Sequence, residues 1–175
     1  MAADLPQGIA RQLPPGYRAI ASVSAAPAAS RRFQFVALEA RKGSARLATG
    51  PSGPRPLLIF EKLKSGRYVL RARNDGVIFR SDEGGAGGCD PFESHGIAVR
   101  GRYITVEHDV ACGAHWTDYV TFRFDLRSGD YVFDNLRFQS WSMSNDPKAE
   151  ALVPEPVRIV RARGRPVPFA KWKRP

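Results

Sequence analysis

The segment TDYVTFRFDL (117–126) constrains the fold most, because its apolar and polar residues alternate. Valine, two phenylalanines and leucine occupy every second position, with tyrosine, threonine, arginine and aspartate between them. Successive side chains of a β-strand point to opposite faces, so this pattern predicts a strand with one face on a core and the other on solvent. Such a strand needs paired neighbours and an apolar layer against it, which predicts a layered β structure.

Similar segments recur on both sides of this strand, separated by short turns that contain glycine. The predicted hairpins join 57–63 to 68–74, 96–99 to 102–110, and 117–126 to 131–143. Glycine supplies the positive φ that tight turns require, and helical periodicity is not found between the many prolines and glycines. We predict an all-β fold of about eight mostly antiparallel strands in sequential hairpins, closed as a barrel or packed as a two-sheet sandwich.

The net charge of +10 is unevenly distributed along the sequence. Residues 1–155 contain 20 basic and 17 acidic residues, whereas 156–175 contain seven basic residues and no acidic one. Prolines in the C-terminal stretch oppose a long helix or a central strand. We predict a single β domain over 1–153 and an extended, solvated basic tail over 154–175, with Phe169 or Trp172 packed against the domain. A tail of this kind can contact an acidic partner, and a sequence-specific nucleic-acid interface is not predicted.

No apolar run approaches the eighteen residues that a membrane-spanning helix needs, so no membrane span is predicted. The start MAADLP fits a chain whose signal sequence has been removed after a small residue and replaced by an initiator Met.

The sequence contains no Gly-x-Ser-x-Gly motif and no phosphate-binding glycine motif. We therefore predict a protein that is not an enzyme, without catalytic residues, cofactor or metal. Two alternatives use the histidines. Cys112 could act as a nucleophile with His108 or His115 as its base, or these three residues together with Cys89 could hold zinc. His95 is the remaining histidine.

The two cysteines lie in predicted loops, Cys89 within the glycine-rich stretch DEGGAGGCDPFESHG (82–96) and Cys112 after the predicted strand 102–110. Their even number, and their positions beside strands expected to be neighbours, favour a Cys89–Cys112 disulfide. Closing a loop of about 24 residues would stabilise the fold by about 3 kcal/mol. Disulfides persist in oxidising compartments, and the bridge would turn the glycine-rich stretch into a constrained surface loop suited to binding.

Three aromatic residues are candidate anchors for a binding partner. Tyr68 and Tyr131 each follow a predicted turn directly, and Trp116 lies close to Cys112. Exposed aromatic side chains on rigid loops contribute strongly to protein interfaces. The alternative is that each tyrosine packs across its own hairpin as an ordinary strand residue.

About 130 residues of the chain, from 13 to 143, resemble a group of bacterial periplasmic proteins related to the FG-GAP/VCBS-like family. The resemblance is carried by LPPGYRAIASV, FQFVALE, PRPLLIFEKLKSGRYVLRARND, GGCDPF, GRYITVEH and HWTDYVTFRFDLRSGDYVFD. That group includes immunity proteins that neutralise lysozyme-like, peptidoglycan-cleaving effectors of secretion systems, and its fold is similar to that of periplasmic lysozyme inhibitors. The resemblance implies a periplasmic inhibitor or immunity protein that inserts a loop into the cleft of a cognate hydrolase or toxin.

The lysozyme inhibitors present a Ser-Gly-x-Tyr turn to the active site of the enzyme, and this chain contains that string twice. The two copies are Ser65-Gly66-Arg67-Tyr68 and Ser128-Gly129-Asp130-Tyr131. We favour the first copy, because Lys64 and Arg67 suit the catalytic carboxylates of a peptidoglycan hydrolase. In the second copy, Asp130 would suit a basic or hydrogen-bonding group.

The resemblance also has a consequence for calcium binding. Many relatives carry an aspartate-rich calcium loop between the first two strands, but the corresponding SAAPAASRR (24–32) has no carboxylate, which argues against calcium there. The alternatives to an inhibitor are a small metal-dependent or Cys/His hydrolase, and a module that binds polyanions or cell surfaces through the basic tail.

Overall fold

The computed structural model describes residues 5–41, 52–85, 87–93, 96–146, 148 and 152–175. Its strands are β1 (Tyr17–Ala28), β2 (Arg31–Ala40), β3 (Arg55–Lys62), β4 (Tyr68–Ile78), β5 (Ile97–Arg100), β6 (Tyr103–Val110), β7 (His115–Asp125), β8 (Asp130–Met143), β9 (Leu152–Pro154) and β10 (Arg158–Arg161). A one-turn helix, α1 (Gln7–Ala10), precedes them, and a 3-10 turn over Phe169–Lys171 follows. No helix in the described part of the chain is long and apolar enough to cross a membrane.

The strands form two antiparallel sheets that pack face to face, which confirms the all-β prediction in its sandwich form. Sheet A has the strand order β1-β2-β3-β4. Sheet B has the order β10-β8-β7-β6-β5, and β9 also pairs with β8. The three predicted hairpins are present as β3–β4, β5–β6 and β7–β8. The predicted strand 68–74 continues for four more residues, because β4 runs from Tyr68 to Ile78.

Strand β7 confirms the alternation from which the fold was predicted. Asp118, Val120, Phe122 and Phe124 are buried, and the residues between them are partly exposed. Leu126 was expected on the apolar face and is instead 62% exposed. The reason is that β7 ends at Asp125, so Leu126 lies in the following turn.

Strands β2 and β3 show no alternation because sheet A is covered on both faces. Its inner face packs on sheet B in a main core that includes Phe35 and Ile59. Its outer face carries a second apolar cluster, in which Ile9 of α1 covers Val36 and Phe60. A strand buried on both sides is apolar throughout, which explains the continuous apolar runs in these two strands.

The C-terminal segment is not the solvated arm that the sequence predicted. The expected boundary between residues 153 and 154 falls inside β9, and β10 pairs with β8. We call residues 168–174 the C-terminal strap. The strap contacts both β4 and β8 and inserts Phe169 and Trp172 into the main core. Both aromatic residues are therefore packed against the domain, with exposures of 1% and 5%.

Polar contacts fix the strap at both of its ends. The side-chain amide of Asn74 donates hydrogen bonds to the carbonyl oxygens of Phe169 (2.6 Å) and Trp172 (2.9 Å). The guanidinium of Arg174 donates to Asp118 (2.7 Å) and to the carbonyl oxygen of Val77 (3.1 Å). The last residues of the chain therefore belong to the structural core of the domain.

Candidate functional site

Both Ser-Gly-x-Tyr turns lie at the same end of the sandwich. In sheet A, Phe33 pairs with Glu61, so the β1–β2 turn lies beside the β3–β4 turn. The register of sheet B likewise places the β5–β6 turn beside the β7–β8 turn. Arg31 links the two sheets, because its Nη2 donates to the carbonyl oxygen of Gly129 at 3.1 Å. We call the four turns (28–32, 62–67, 100–102 and 126–130) the hairpin end.

The hairpin end is strongly cationic. Its four turns contain eight basic residues and one acidic residue, Asp130. Seven of the eight basic side chains are exposed, and Arg31 is the partly buried one. The near balance of charge over residues 1–155 does not indicate this patch, because 16 of the 17 acidic residues lie outside the hairpin end. Charge is therefore concentrated at this end as well as in the C-terminal segment.

Arg31 and Arg71 hold the hairpin end together. Arg31 forms an ion pair with Glu61, and its guanidinium lies 5.2 and 5.4 Å from the centroids of two phenylalanine rings, one from each sheet. Arg71 lies 3.5 Å from the same Glu61 carboxylate and 4.0 Å from Asp130. Both contacts with Glu61 lie within sheet A, whereas the contacts of Arg31 with Phe124 and of Arg71 with Asp130 cross to sheet B. The crossing contacts hold the two Ser-Gly-x-Tyr turns near each other.

The Ser65–Tyr68 turn is exposed at its tip and internally ordered. The Leu63 N–H donates to the carbonyl oxygen of Arg67 (2.8 Å), and the Gly66 N–H donates back to the carbonyl oxygen of Leu63 (2.9 Å). Gly66 has φ 83°, and a Cβ at this position would meet no atom within 4 Å. The side chains of Lys64 and Arg67 are exposed on this tip.

Tyr68 packs at the base of this turn, against α1, and does not lie at its tip. Its side chain is partly buried and packs against α1, where a Cβ on Gly8 would lie 3.5 Å from the ring. The ammonium of Lys62 lies 5.9 Å from the ring centroid. Gln12 donates a hydrogen bond to the Tyr68 carbonyl oxygen at 3.0 Å. At this turn, the groups open to a partner are therefore the two cations.

The prediction that Tyr131 anchors a partner is wrong. Its side chain is 3% exposed, because its ring packs by its edge against Phe33, Phe35 and Phe124 with centroids 5.0–5.5 Å apart. This burial raises the pKa of the Tyr131 hydroxyl, which has no hydrogen-bond partner among the described residues. What the Ser128–Tyr131 turn exposes to solvent is Ser128 and Asp130.

The Ser128–Tyr131 turn is stabilised by Asp125, which lies three residues before Ser128. Asp125 accepts hydrogen bonds from the Ser128 backbone N–H (2.9 Å) and hydroxyl (2.8 Å). These two bonds lower the pKa of Asp125. Gly129 adopts the positive φ of 72° that the turn requires.

Trp116 lies away from the hairpin end and is not a loop residue. It is the second residue of β7, where it pairs with Val110 of β6 and is partly buried. Its ring packs against Phe79 (5.4 Å between centroids) and Phe138 (6.0 Å). The prediction of a loop anchor at this position is therefore corrected to a packing role.

Cys89 and Cys112 form the predicted disulfide, with Cα atoms 6.2 Å apart. The glycines before Cys89 allow the loop to lie directly against the bridge. A Cβ on Gly84 would overlap the carbonyl oxygen of Cys89, and one on Gly87 would overlap the carbonyl oxygen of Cys112. Close approach of two backbones therefore accounts for part of the glycine content of this loop.

An ion pair adds a second attachment for the disulfide loop. Arg55, 3% exposed, donates from both terminal nitrogens to Asp90, each at 2.5 Å, and also pairs with Glu39. Burial by itself would raise the pKa of Asp90, but the hydrogen bonds from Arg55 outweigh it and lower that pKa. The loop is therefore fixed to sheet A as well as to the end of β6.

His108 is a buried structural residue. Its Nε2 accepts a hydrogen bond from the Phe79 N–H (3.3 Å), so its Nδ1 carries the proton that is shared with Asp118 (3.2 Å). Burial lowers the pKa of His108 and outweighs the opposing effect of Asp118, which keeps the ring neutral. Both ring nitrogens are thus used inside the fold, and no nitrogen is left to act as a base toward Cys112.

The alternatives built on the cysteines and histidines do not fit the structure. A nucleophile or a zinc ligand requires a thiolate, whereas Cys89 and Cys112 are bonded to each other. His115 lies at the start of β7, opposite Trp141 of β8. His95 lies outside the described residues.

Comparisons of the chain with protein-family models, with curated protein sequences and with solved structures found no match. The charge and order of the hairpin end are therefore the main basis for a functional proposal.

Proposed function

We propose that this chain is a non-enzymatic, extracytoplasmic binding protein that blocks a lysozyme-like peptidoglycan hydrolase, as an inhibitor or immunity protein. The observation that supports this proposal is the hairpin end, where two Ser-Gly-x-Tyr turns lie together on a cationic, internally braced surface. Glycoside hydrolases of this kind carry a pair of carboxylates in an open cleft. A surface rich in exposed cations is complementary to such a cleft.

The Ser65–Tyr68 turn is the element that we propose enters the cleft. Its backbone is already closed by two hydrogen bonds, so little conformational freedom is lost when it binds. Lys64 and Arg67 project from the tip and would meet the carboxylates. The Cys89–Cys112 bridge supports a location outside the reducing cytosol, where disulfides are stable.

The proposal is tested by reversing the charge of the tip. The double variant Lys64→Glu with Arg67→Glu should weaken inhibition at least about tenfold, as expected when central charged contacts of an interface are reversed. Both side chains are exposed, and neither is ion-paired within the described chain, so the thermal midpoint should stay unchanged. The assay is the loss of turbidity of a peptidoglycan suspension, with a panel of purified lysozyme-type hydrolases and toxins.

The matched control is Lys171→Glu with Lys173→Glu, which changes the net charge equally at two exposed positions of the strap. This control should inhibit as well as the wild type. Equal losses in the two double variants would assign the effect to total charge and contradict the proposed loop. Failure of the wild-type protein to inhibit any enzyme of the panel would contradict the proposed function itself.

A further inference from the structure

Three aromatic side chains lie on the outer face of sheet B, one on each of three adjacent strands. They are Tyr103 on β6, Tyr119 on β7 and Trp141 on β8. Tyr103 is 40% exposed, and the other two are partly exposed. This face contrasts with the outer face of sheet A, because its residues on β6 and β7 are all at least partly exposed.

The strand register places the three aromatic residues on one straight diagonal. Tyr119 pairs with Glu107, which lies four residues beyond Tyr103 on β6. Trp141 pairs with His115, which lies four residues before Tyr119 on β7. Both steps therefore run in the same direction across the sheet. With about 3.4 Å per residue and about 4.8 Å between strands, each step is about 14 Å and the whole line about 29 Å.

The residues around this diagonal are suited to hydrogen bonding. Threonine, asparagine and glutamine side chains occupy most of the outward positions between the aromatic residues: Thr105, Thr117, Thr121, Asn135 and Gln139. Their side chains are partly exposed. Such groups both donate and accept, as sugar hydroxyls do. The face is therefore apolar along one line and polar beside it.

The same face carries a positive charge at its centre. Arg137 is exposed, pairs across the strands with Tyr119, and forms no ion pair with a residue that the structure describes. Over β5 to β8 and β10, the outward positions hold four arginines, Arg100, Arg123, Arg137 and Arg161, and four carboxylates, Glu107, Asp109, Asp125 and Asp130. Arg123 lies 3.7 Å from Asp125 and from Asp134, whereas the other three arginines form no ion pair with a described residue. These three arginines are therefore the groups of this face that can pair with an anionic ligand.

We infer that the outer face of sheet B binds an extended glycan chain that bears carboxylates. The aromatic rings stack on the apolar faces of sugar rings, and the neighbouring amides and hydroxyls bind the sugar hydroxyls. Arg137 donates paired hydrogen bonds to a carboxylate of the chain. The length of the diagonal accommodates several sugar rings lying across the sheet. This inference does not depend on the proposed inhibition of a hydrolase, because it uses other residues.

The test is affinity electrophoresis in native gels that contain polygalacturonate, a carboxylated polysaccharide, or hydroxyethylcellulose, a neutral one. The double variant Tyr119→Thr with Trp141→Thr should bind polygalacturonate at least tenfold more weakly than the wild type. Arg137→Gln should abolish the preference for the carboxylated over the neutral polymer. The control Leu70→Thr replaces an exposed apolar residue of sheet A (46% exposed) and should leave the affinity unchanged.

A folding defect is separated from a binding defect by the thermal midpoint of each variant. Should the double variant unfold, Tyr103→Thr at the more exposed end of the diagonal is measured in its place, with a loss of at least threefold expected. Polygalacturonate binding that the aromatic variants do not change would overturn the inference. The inference is equally overturned if the wild type is not retarded by polygalacturonate, or if dextran sulfate retards all variants equally, because charge alone would then explain binding.

Discussion

Replacing Trp172 with alanine should destabilise the protein by about 3–5 kcal/mol, the range measured for large aromatic residues in protein cores. Its side chain is 5% exposed and stacks on Phe133, with centroids 5.6 Å apart and planes inclined by 25°. It also meets the ring of Phe122 edge-on at 5.6 Å. Removal of the indole would leave a cavity between the two sheets that neither sheet can close by itself.

Truncation after Val167 should have a larger effect. Two buried aromatic side chains would be lost, at about 1.5–3 kcal/mol each. Asn74 and Asp118 would also lose partners in the strap, at about 1–3 kcal/mol for each unsatisfied group. The total of about 5–12 kcal/mol approaches the whole stability of an ordinary domain. We therefore expect the truncated chain to be unfolded.

Urea denaturation followed by far-ultraviolet circular dichroism measures both changes. The control is Lys173→Ala, a substitution of an exposed strap residue that should leave the midpoint unchanged. A truncated protein with the wild-type midpoint and slope would refute the reasoning, because the strap would then be a peripheral attachment to a core that is complete without it.

Three further predictions concern the interior. Burial lowers the pKa of His108 below its ordinary 6.5, so the unfolded state binds a proton at this residue more readily than the folded state does. The free energy of unfolding should therefore fall as the pH drops below about 6.5. The urea midpoint should be lower at pH 5.5 than at pH 7.5, and this difference should be smaller in His108→Gln. Reduction of the Cys89–Cys112 bridge should lower the free energy of unfolding by about 3 kcal/mol. Detection of two free thiols in the denatured, unreduced protein would show that the bridge is absent. Gly87→Ala should lower the thermal midpoint far more than Gly96→Ala, because a Cβ on Gly87 would overlap the backbone of Cys112, whereas a Cβ on Gly96 would meet no atom within 4 Å. Similar losses at the two positions would contradict the close approach.

The sequence predicts the strands and turns of this fold well where one face of a sheet is solvated. Strand β7 alternates because its outer face is open, and the glycines of its neighbouring turns mark where strands end. In β2 and β3 the alternation disappears, since α1 covers the second face. The four residues of α1 carry no amphipathic pattern, so the second apolar cluster could not be predicted.

The candidate site was predicted only in part. The two Ser-Gly-x-Tyr strings mark real turns, but sequence alone cannot say that residues separated by about 60 positions meet at one end of a sandwich. Tyr131 illustrates the difficulty, because the residue that looks like an exposed anchor is buried by the opposite sheet. The charge and prolines of the last twenty residues likewise indicated a solvated arm, and only the positions of Phe169 and Trp172 in the core correct this.

The position of the C-terminal strap has a consequence for how the chain folds. The hairpins connect residues close in sequence and can form early, whereas Asn74 meets its two partners in the strap across 95 and 98 residues. During synthesis the hairpins emerge from the ribosome before the strap does. The apolar interior between the sheets therefore lacks Phe169 and Trp172 until the strap has emerged. The domain can reach its final packing only after that point.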